Sequence, residues 1–246
     1  MPLTFSHPAL ILPAKYLPER WVSMTGLIVG SVTPDFEYFI RMKVESEFSH
    51  TWIGMFWFDL PLALLLTFIY HYIVRNALIC NLPVFLKKRL SRYLDFNWIN
   101  YFKHNYFKVI ICLLISITTH LFWDSFTHPH GSFVKIIPLL RQNVSLFGFH
   151  IPVYNLLQHI SSLGGAVVVI YAIMRIPREV KYAKSHAPGY YWLIVIGTGV
   201  VVANIRLLTG LYYGEYNNIA ISAISGMLLG SIIAPLFLER NIIKIN

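Results

Sequence analysis

Two histidines and one aspartate, His120, Asp124 and His128, recur at intervals of four residues within and just after a strongly apolar stretch. A helix places residues four positions apart on one face, so an imidazole and a carboxylate at this spacing can reach one cation. A lone histidine in such a stretch is more often a hydrogen-bonded packing residue. Several histidines in register with an aspartate favour a functional cluster, because ionisable groups in an apolar segment are costly.

The elements that must position these residues are membrane spans. Of 246 residues, 56% are hydrophobic and only 13% are charged, whereas a soluble domain carries about 25% charged residues. The pattern predicts an all-α, polytopic helical membrane protein that forms a single domain over residues 1–246. Five stretches approach or exceed the roughly 20 residues that cross a bilayer: 52–74, 107–127, 157–174, 190–211 and 219–238.

Three further segments are interpreted by their composition. Stretch 21–40 is apolar but interrupted by proline and acidic residues, which predicts a half-buried helical element, with a sixth span as the alternative. Segment 82–103 mixes apolar, aromatic and basic residues, as an interfacial amphipathic helix does. Gly226 and Gly230 form a G-x-x-x-G motif, which indicates either internal helix packing or a homodimer face.

Loop charge predicts the orientation. Segments 75–106, 175–189 and the C-terminal tail carry twice as many Lys and Arg residues as the alternate set of loops. The positive-inside rule therefore places the C-terminus in the cytoplasm and the N-terminus outside. The net charge of +9 fits contact with anionic membrane lipids and does not indicate a nucleic-acid partner.

This topology brings other ligand types to the outer face. His7, Asp35 and His50 precede the first span, and His159 enters the third span from the same side. Neutral imidazole and carboxylate groups suit zinc, with iron or manganese as alternatives. The set predicts a site for one or two ions, in which Asp35 could also accept a proton.

The chain also resembles a known family. The runs TFSHPALILP, GLIVGSVTPDFEYF, FWFDLP, THLFWDSFTH and LLQHISSLGG resemble a bacterial membrane family catalogued as domain of unknown function 4184. The resemblance covers nearly the whole chain and implies a bacterial cytoplasmic (inner) membrane location. It implies no established reaction.

A more distant resemblance concerns inner-membrane metal-dependent hydrolases, which share a pattern with the zinc-dependent phospholipase C and S1/P1 nuclease group. It implies catalytic and ligand roles at Asp35 and Asp124, with Asp124 bridging two ions. The complete set of metal ligands that it implies is His7, Asp35, His50, His120, Asp124, His128 and His159. The chain departs from that group because no His-x-x-x-Glu pair follows His128.

Two functional hypotheses follow. One is a membrane-bound hydrolase of the zinc type that acts on a phosphoester in a lipid or lipid-linked substrate, in the manner of a phospholipase C. The other is a non-catalytic scaffold or transport component whose His/Asp cluster binds metal structurally or forms only hydrogen bonds. An open coordination position distinguishes the two, because catalytic metal sites keep one and structural sites close it.

Overall fold

A computed structural model describes residues 4–146, 148–180, 182–184, 188–238 and 244–245. The chain is 75% helical and 4% strand, which confirms the predicted all-α class. Lys181 and Arg240, two of the residues in the loop-charge argument, lie outside the described residues. The α-helices are α1 Pro8–Ile11, α2 Met24–Val32, α3 Phe36–Arg41, α4 Leu60–Ile69, α5 Arg75–Asn81, α6 Val84–Leu90, α7 Trp98–Thr127, α8 Ser132–Ile136, α9 Val153–Met174, α10 Pro188–Leu208 and α11 Tyr216–Phe237.

Shorter elements connect these helices. The 3-10 turns are Thr4–Ser6, Leu12–Tyr16, Thr33–Asp35, Ser91–Tyr93 and Pro138–Arg141, and π-helical turns cover Met55–Asp59 and Tyr70–Val74. The described residues include two antiparallel strand pairs: β1 Asn143–Leu146 with β2 Phe149–Pro152, and β3 Ala183–Lys184 with β4 Lys244–Ile245.

Five helical stretches among the described residues are long and apolar enough to cross a membrane, as predicted. They are Met55–Asn81, Trp98–Ile136, Val153–Met174, Pro188–Leu208 and Tyr216–Phe237. The first continues beyond its predicted end because π-helical turns join its α-helical parts into one stretch. Stretch 21–40 is helical, as predicted, and is not one of the five.

The second spanning helix begins earlier than the apolar pattern indicates, and this shortens the predicted amphipathic helix 82–103. Asn97 accepts a hydrogen bond at Oδ1 from the backbone N–H of Asn100 (3.0 Å), which caps the first turn of α7. Helix α6 ends at Leu90, and residues 91–97, which include the 3-10 turn Ser91–Tyr93, separate it from α7. Asn105 has non-helical dihedral angles and interrupts α7 near its start.

The chain divides into two compact units. Unit 1 comprises Met1–Asp35, Phe48–Ala63 and Asn105–Ala172, and unit 2 comprises Phe36–Glu47, Leu64–His104 and Ile173–Asn246. The organisation as one domain stays a prediction.

In unit 1, α2 packs closely on α7 through two glycines. A Cβ at Gly26 would lie 3.1 Å from Cβ of Cys112, and a Cβ at Gly30 would lie 2.2 Å from Oγ of Ser116. The backbone N–H of Ser23 also donates to Cys112 Sγ (3.2 Å). Small residues thus bring the backbone after α2 against the part of α7 that carries His120.

In unit 2, α10 and α11 pack through the G-x-x-x-G motif. A Cβ at Gly226 would lie 2.7 Å from Cα of Gly199, and one at Gly230 would lie 2.8 Å from Cα of Val195. The motif therefore serves packing within the chain. The homodimer stays a prediction, and this motif does not support it, because both glycines pack against α10 of the same chain.

Candidate metal centre

Four potential metal ligands from three segments of unit 1 converge at one place. Asp35 ends the 3-10 turn after α2, His50 precedes the first spanning helix, and His120 and Asp124 lie one turn apart on α7. Each offers a ligand atom, and these four atoms all lie within 4.8 Å of one another. His120 and Asp124 therefore both face the cluster, as their i, i+4 spacing in the sequence predicts.

The spacing of the four ligand atoms fits a common cation. Oδ2 of Asp124 lies 3.3 Å from Nε2 of His120 and 3.4 Å from Nε2 of His50. Oδ1 of Asp35 lies 3.5 Å from Nε2 of His120 and 3.7 Å from Nε2 of His50. At metal–ligand distances of about 2.0–2.2 Å, ligand atoms around a tetrahedral zinc ion stand roughly 3.3–3.6 Å apart. The donor types suit such an ion, and these four distances lie within or close to that range.

Hydrogen bonds on the far side of each imidazole orient the two rings. Nδ1 of His120 donates to the backbone carbonyl oxygen of Ser31 (2.7 Å), which orients the ring so that its Nε2 faces the carboxylates of Asp35 and Asp124. Nδ1 of His50 is hydrogen-bonded to Oγ of Ser49 (2.8 Å). Pro34 lies three residues after Ser31 and has no backbone N–H that could donate to the Ser31 carbonyl.

Several polar atoms of the centre are buried without a hydrogen-bond partner in the described structure. They are Oδ2 of Asp35, Nε2 of His120 and both carboxylate oxygens of Asp124. A buried polar atom without a partner costs about 1–3 kcal/mol, and a charged one costs more. A cation among these atoms would remove that cost.

The electrostatics of the centre favour a positive charge. Burial alone would raise the pKa of Asp35, but the charge of His120 and close contacts with His120 and His50 hold this pKa well below its ordinary range. Burial also opposes protonation of His50, yet contacts with Asp124 and Asp35 outweigh it and raise the pKa of His50 to about 9. Without a metal, the carboxylates thus hold a proton on His50 at neutral pH.

Asp124 faces a second pair of histidines with its other oxygen. Its Oδ1 lies 3.7 Å from Nε2 of His7 and 3.6 Å from Nδ1 of His128. The His7 ring also stacks on the His120 ring with centroids 3.8 Å apart. The pKa of His7 falls to about 4, because burial and the neighbouring His120 outweigh the attraction of the carboxylates. His7 is therefore neutral and suited to ligation.

The structure places His159 differently from the other predicted ligands. Its side chain is exposed on α9, and the described contacts of the centre do not include it. The preceding residue, Gln158, is buried instead, and its Nε2 lies 3.3 Å from Nε2 of His128. The sequence does not identify Gln158 as a site residue, because no spacing pattern distinguishes it from any other glutamine in a spanning helix.

One side of the centre is more accessible than the other. The side chains of His50 and His128 are 18% and 26% exposed, whereas those of Asp35 and His120 are at most 1% exposed. An incoming molecule would therefore reach the cluster beside His50 and His128.

A separate cavity of about 570 Å³ lies in unit 2 and contains none of the cluster residues. Arg75 on its wall donates to the carbonyl oxygens of Leu94 (2.9 Å) and Phe96 (2.7 Å) and contacts Nδ1 of His71 (3.0 Å). These bonds fix the loop before α7, so Arg75 has a structural role there.

Fold and site together define an all-α protein with five potential membrane spans and a buried His/Asp cluster that could hold a metal ion. The chain belongs to the family described as Domain of unknown function (DUF4184), whose model matches residues 1–236. Comparisons with curated proteins and with solved structures gave no match.

Proposed function

We propose that this protein is a membrane-bound metal-dependent hydrolase of the zinc type, which cleaves a phosphoester in a lipid or lipid-linked substrate. The observation that carries the proposal is the approach of four ligand atoms from Asp35, His50, His120 and Asp124 to within 4.8 Å of one another. Two imidazoles and two carboxylates suit zinc, with iron and manganese as alternatives.

The residues of the chain have distinct roles in this proposal. When bound, a zinc-type ion supplies Lewis-acid polarisation of a phosphoryl oxygen and makes a water molecule more acidic. Asp35 has one oxygen, Oδ2, that no described hydrogen bond uses, and this oxygen is the proposed proton acceptor. His120 and His50 would hold the ion, and hydrogen bonds to Ser31 and Ser49 fix the orientations of their rings.

The net charge of the centre determines how many metal ions it needs to attract an anionic phosphoester. The carboxylates of Asp35 and Asp124 cancel the charge of one divalent cation, and no Lys or Arg among the described residues forms an ion pair with the cluster. An anionic phosphoester would then meet a neutral centre. A second ion between Oδ1 of Asp124, His7 and His128 would give the centre a net positive charge, so we propose two ions.

The first experiment measures bound metal. Elemental analysis would compare detergent-purified wild type, the double variant His120→Ala/Asp124→Ala and the matched control His150→Ala, which changes an exposed histidine outside the cluster. We expect zinc in wild type and control and its loss in the double variant. Size-exclusion chromatography would establish that each variant is folded. The absence of metal from well-folded wild type would overturn the proposal.

The second experiment measures the reaction. Vesicles of mixed, headgroup-labelled phospholipids would be incubated with the same three proteins, and released headgroup would be counted. We expect release by wild type and His150→Ala only, because hydrolysis requires the bound ion.

The alternative is a structural metal site in a scaffold or transport component. The near-complete burial of Asp35, His120 and Asp124 favours it, because four protein ligands can close a tetrahedral ion to substrate. One tightly held ion per chain with no hydrolysis of any labelled lipid would support this alternative over the enzyme.

A further inference from the structure

The third spanning helix, α9, approaches the centre with one face. Gln158 is the single residue of α9 described as buried. One turn later, Oγ of Ser161 accepts a hydrogen bond from Nε1 of Trp123 (3.2 Å). A Cβ at Gly165 would lie 2.8 Å from the carbonyl oxygen of Ser6. Residues 158, 161 and 165 follow helical spacing, so this face packs against the segments that carry the candidate ligands.

The contact between Gln158 and His128 specifies a tautomer. The amide nitrogen of Gln158 is only a donor, so Nε2 of His128, 3.3 Å away, must accept. The proton of the neutral ring is then on Nδ1. That atom lies 3.3 Å from the carbonyl oxygen of Asp124 and 3.6 Å from its Oδ1. Nδ1–H faces these two acceptors and Oγ1 of Thr127, which lies 3.3 Å away and donates its own proton to the carbonyl oxygen of Trp123. A bare Nδ1 would be repelled by both Asp124 oxygens.

Cation binding would require the opposite arrangement. A metal ion needs the bare lone pair of Nδ1, so the ring proton must move to Nε2, and Nε2–H then needs an acceptor. Rotation of the Gln158 amide by half a turn presents Oε1 to Nε2. An amide carries a donor and an acceptor at the same distance from the chain, so it can support both states.

We propose that Gln158 is a positioning residue that sets the tautomer of His128, and so determines whether Nδ1 donates to Asp124 or binds a cation. The second half of this inference rests on the proposed metal-dependent function. The first half, that Gln158 sets the tautomer of His128, concerns the metal-free protein and does not depend on that function.

The tautomer is tested in metal-free protein by NMR of the histidine ring nitrogens. In wild type, we expect the proton of His128 on Nδ1. In Gln158→Glu, a carboxylate that only accepts should hold a proton on Nε2. The control Ser161→Ala removes the neighbouring hydrogen bond of α9 and should leave His128 as in wild type. Identical His128 spectra in wild type and Gln158→Glu would overturn the inference, as would an equal change in Ser161→Ala.

The role in ion binding is tested by zinc titration against a competing chelator. Gln158→Leu should weaken the ion bound at His128 by about 10–100-fold, whereas Gln158→Glu should retain it, because loss of an outer partner of a ligand histidine has an effect of that size. Equal affinity in Gln158→Leu and wild type would overturn this role. If wild type binds no zinc, the proposed function and this role both fail, while the tautomer spectra still decide the first half.

Discussion

Asp124 connects the two parts of the candidate centre at the scale of single atoms. Its Oδ2 faces His120 and His50, and its Oδ1 faces His7 and His128. Replacement by asparagine keeps the shape of the side chain, but it removes the negative charge and turns one acceptor into a donor. The two pairs of histidines would then lack their shared anionic ligand.

We therefore predict that Asp124→Asn lowers zinc affinity by at least about 100-fold, because loss of a direct ligand should exceed the roughly 10–100-fold effect of losing an outer partner. Titration against a chelator of known affinity measures the change. Asp95→Asn is the matched control, because Asp95 is exposed in the loop before α7 and belongs to unit 2. Retention of wild-type affinity in Asp124→Asn would contradict the assignment of this residue as a ligand.

Metal binding should also depend on pH. The pKa of His50 is raised to about 9 without metal, so the free centre carries a proton there at neutral pH. Ligation needs the neutral imidazole, and the cation must displace that proton. Apparent affinity should fall by at least roughly tenfold for each pH unit below about 9, because displacement of the His50 proton alone requires that slope. Zinc titrations between about pH 6 and 8 check this, and a flat profile would contradict it.

At the scale of elements, the contact of α2 with α7 holds Ser31 and Asp35 beside His120. Gly30 has no space for a side chain, because its Cβ would lie 2.2 Å from Oγ of Ser116 and 2.7 Å from the carbonyl oxygen of Leu113. A larger residue must therefore separate the two helices.

We predict that Gly30→Val destabilises the protein by about 1–3 kcal/mol, as overpacking does, and weakens zinc binding as well. Thermal unfolding in detergent and zinc titration measure the two effects. Gly164→Val on α9 is the control, since nothing lies within 4 Å of a Cβ at that position. Equal losses in both variants would show that valine in any apolar helix, not the contact of α2 with α7, is the cause.

The elements also explain which parts of the site could be predicted from sequence. His120 and Asp124 are marked by helical spacing, and Asp35 and His50 by their chemistry and predicted face. Ser31 acts through a backbone carbonyl, which every residue possesses, so its role has no sequence signal. The chemistry of His159 predicts a ligand, but packing of α9 turns its neighbour Gln158 inward and leaves His159 exposed.

At the scale of the whole molecule, hydropathy predicts the five spanning helices and places their ends less accurately. The apolar run of the second span begins near residue 107, yet α7 begins at Trp98, because the cap from Asn97 and the aromatic residues that follow extend the helix. The division into two units depends on contacts between distant residues, which hydropathy does not describe.

Orientation in the membrane is tested with reporter fusions. An odd number of spans places the two ends on opposite sides, and loop charge places the C-terminus inside. Reporters after Asn246 and within 82–103 should both read cytoplasmic, and a reporter at the N-terminus should read external. Opposite readings for the first two would contradict the arrangement of five spans, and two external readings would place the cluster on the cytoplasmic face.

Pro34 affects the centre although none of its atoms is a ligand. Alanine at this position would introduce an N–H three residues after Ser31, whose carbonyl oxygen accepts from His120. The new N–H could then compete with Nδ1 of His120 for the lone pairs of the Ser31 carbonyl oxygen. A competitor attached to the same backbone acts at a high effective concentration and cannot be diluted. NMR of the His120 ring nitrogens in Pro34→Ala would detect that competition as mixed tautomers, whereas the single tautomer of wild type would show that the competition is absent.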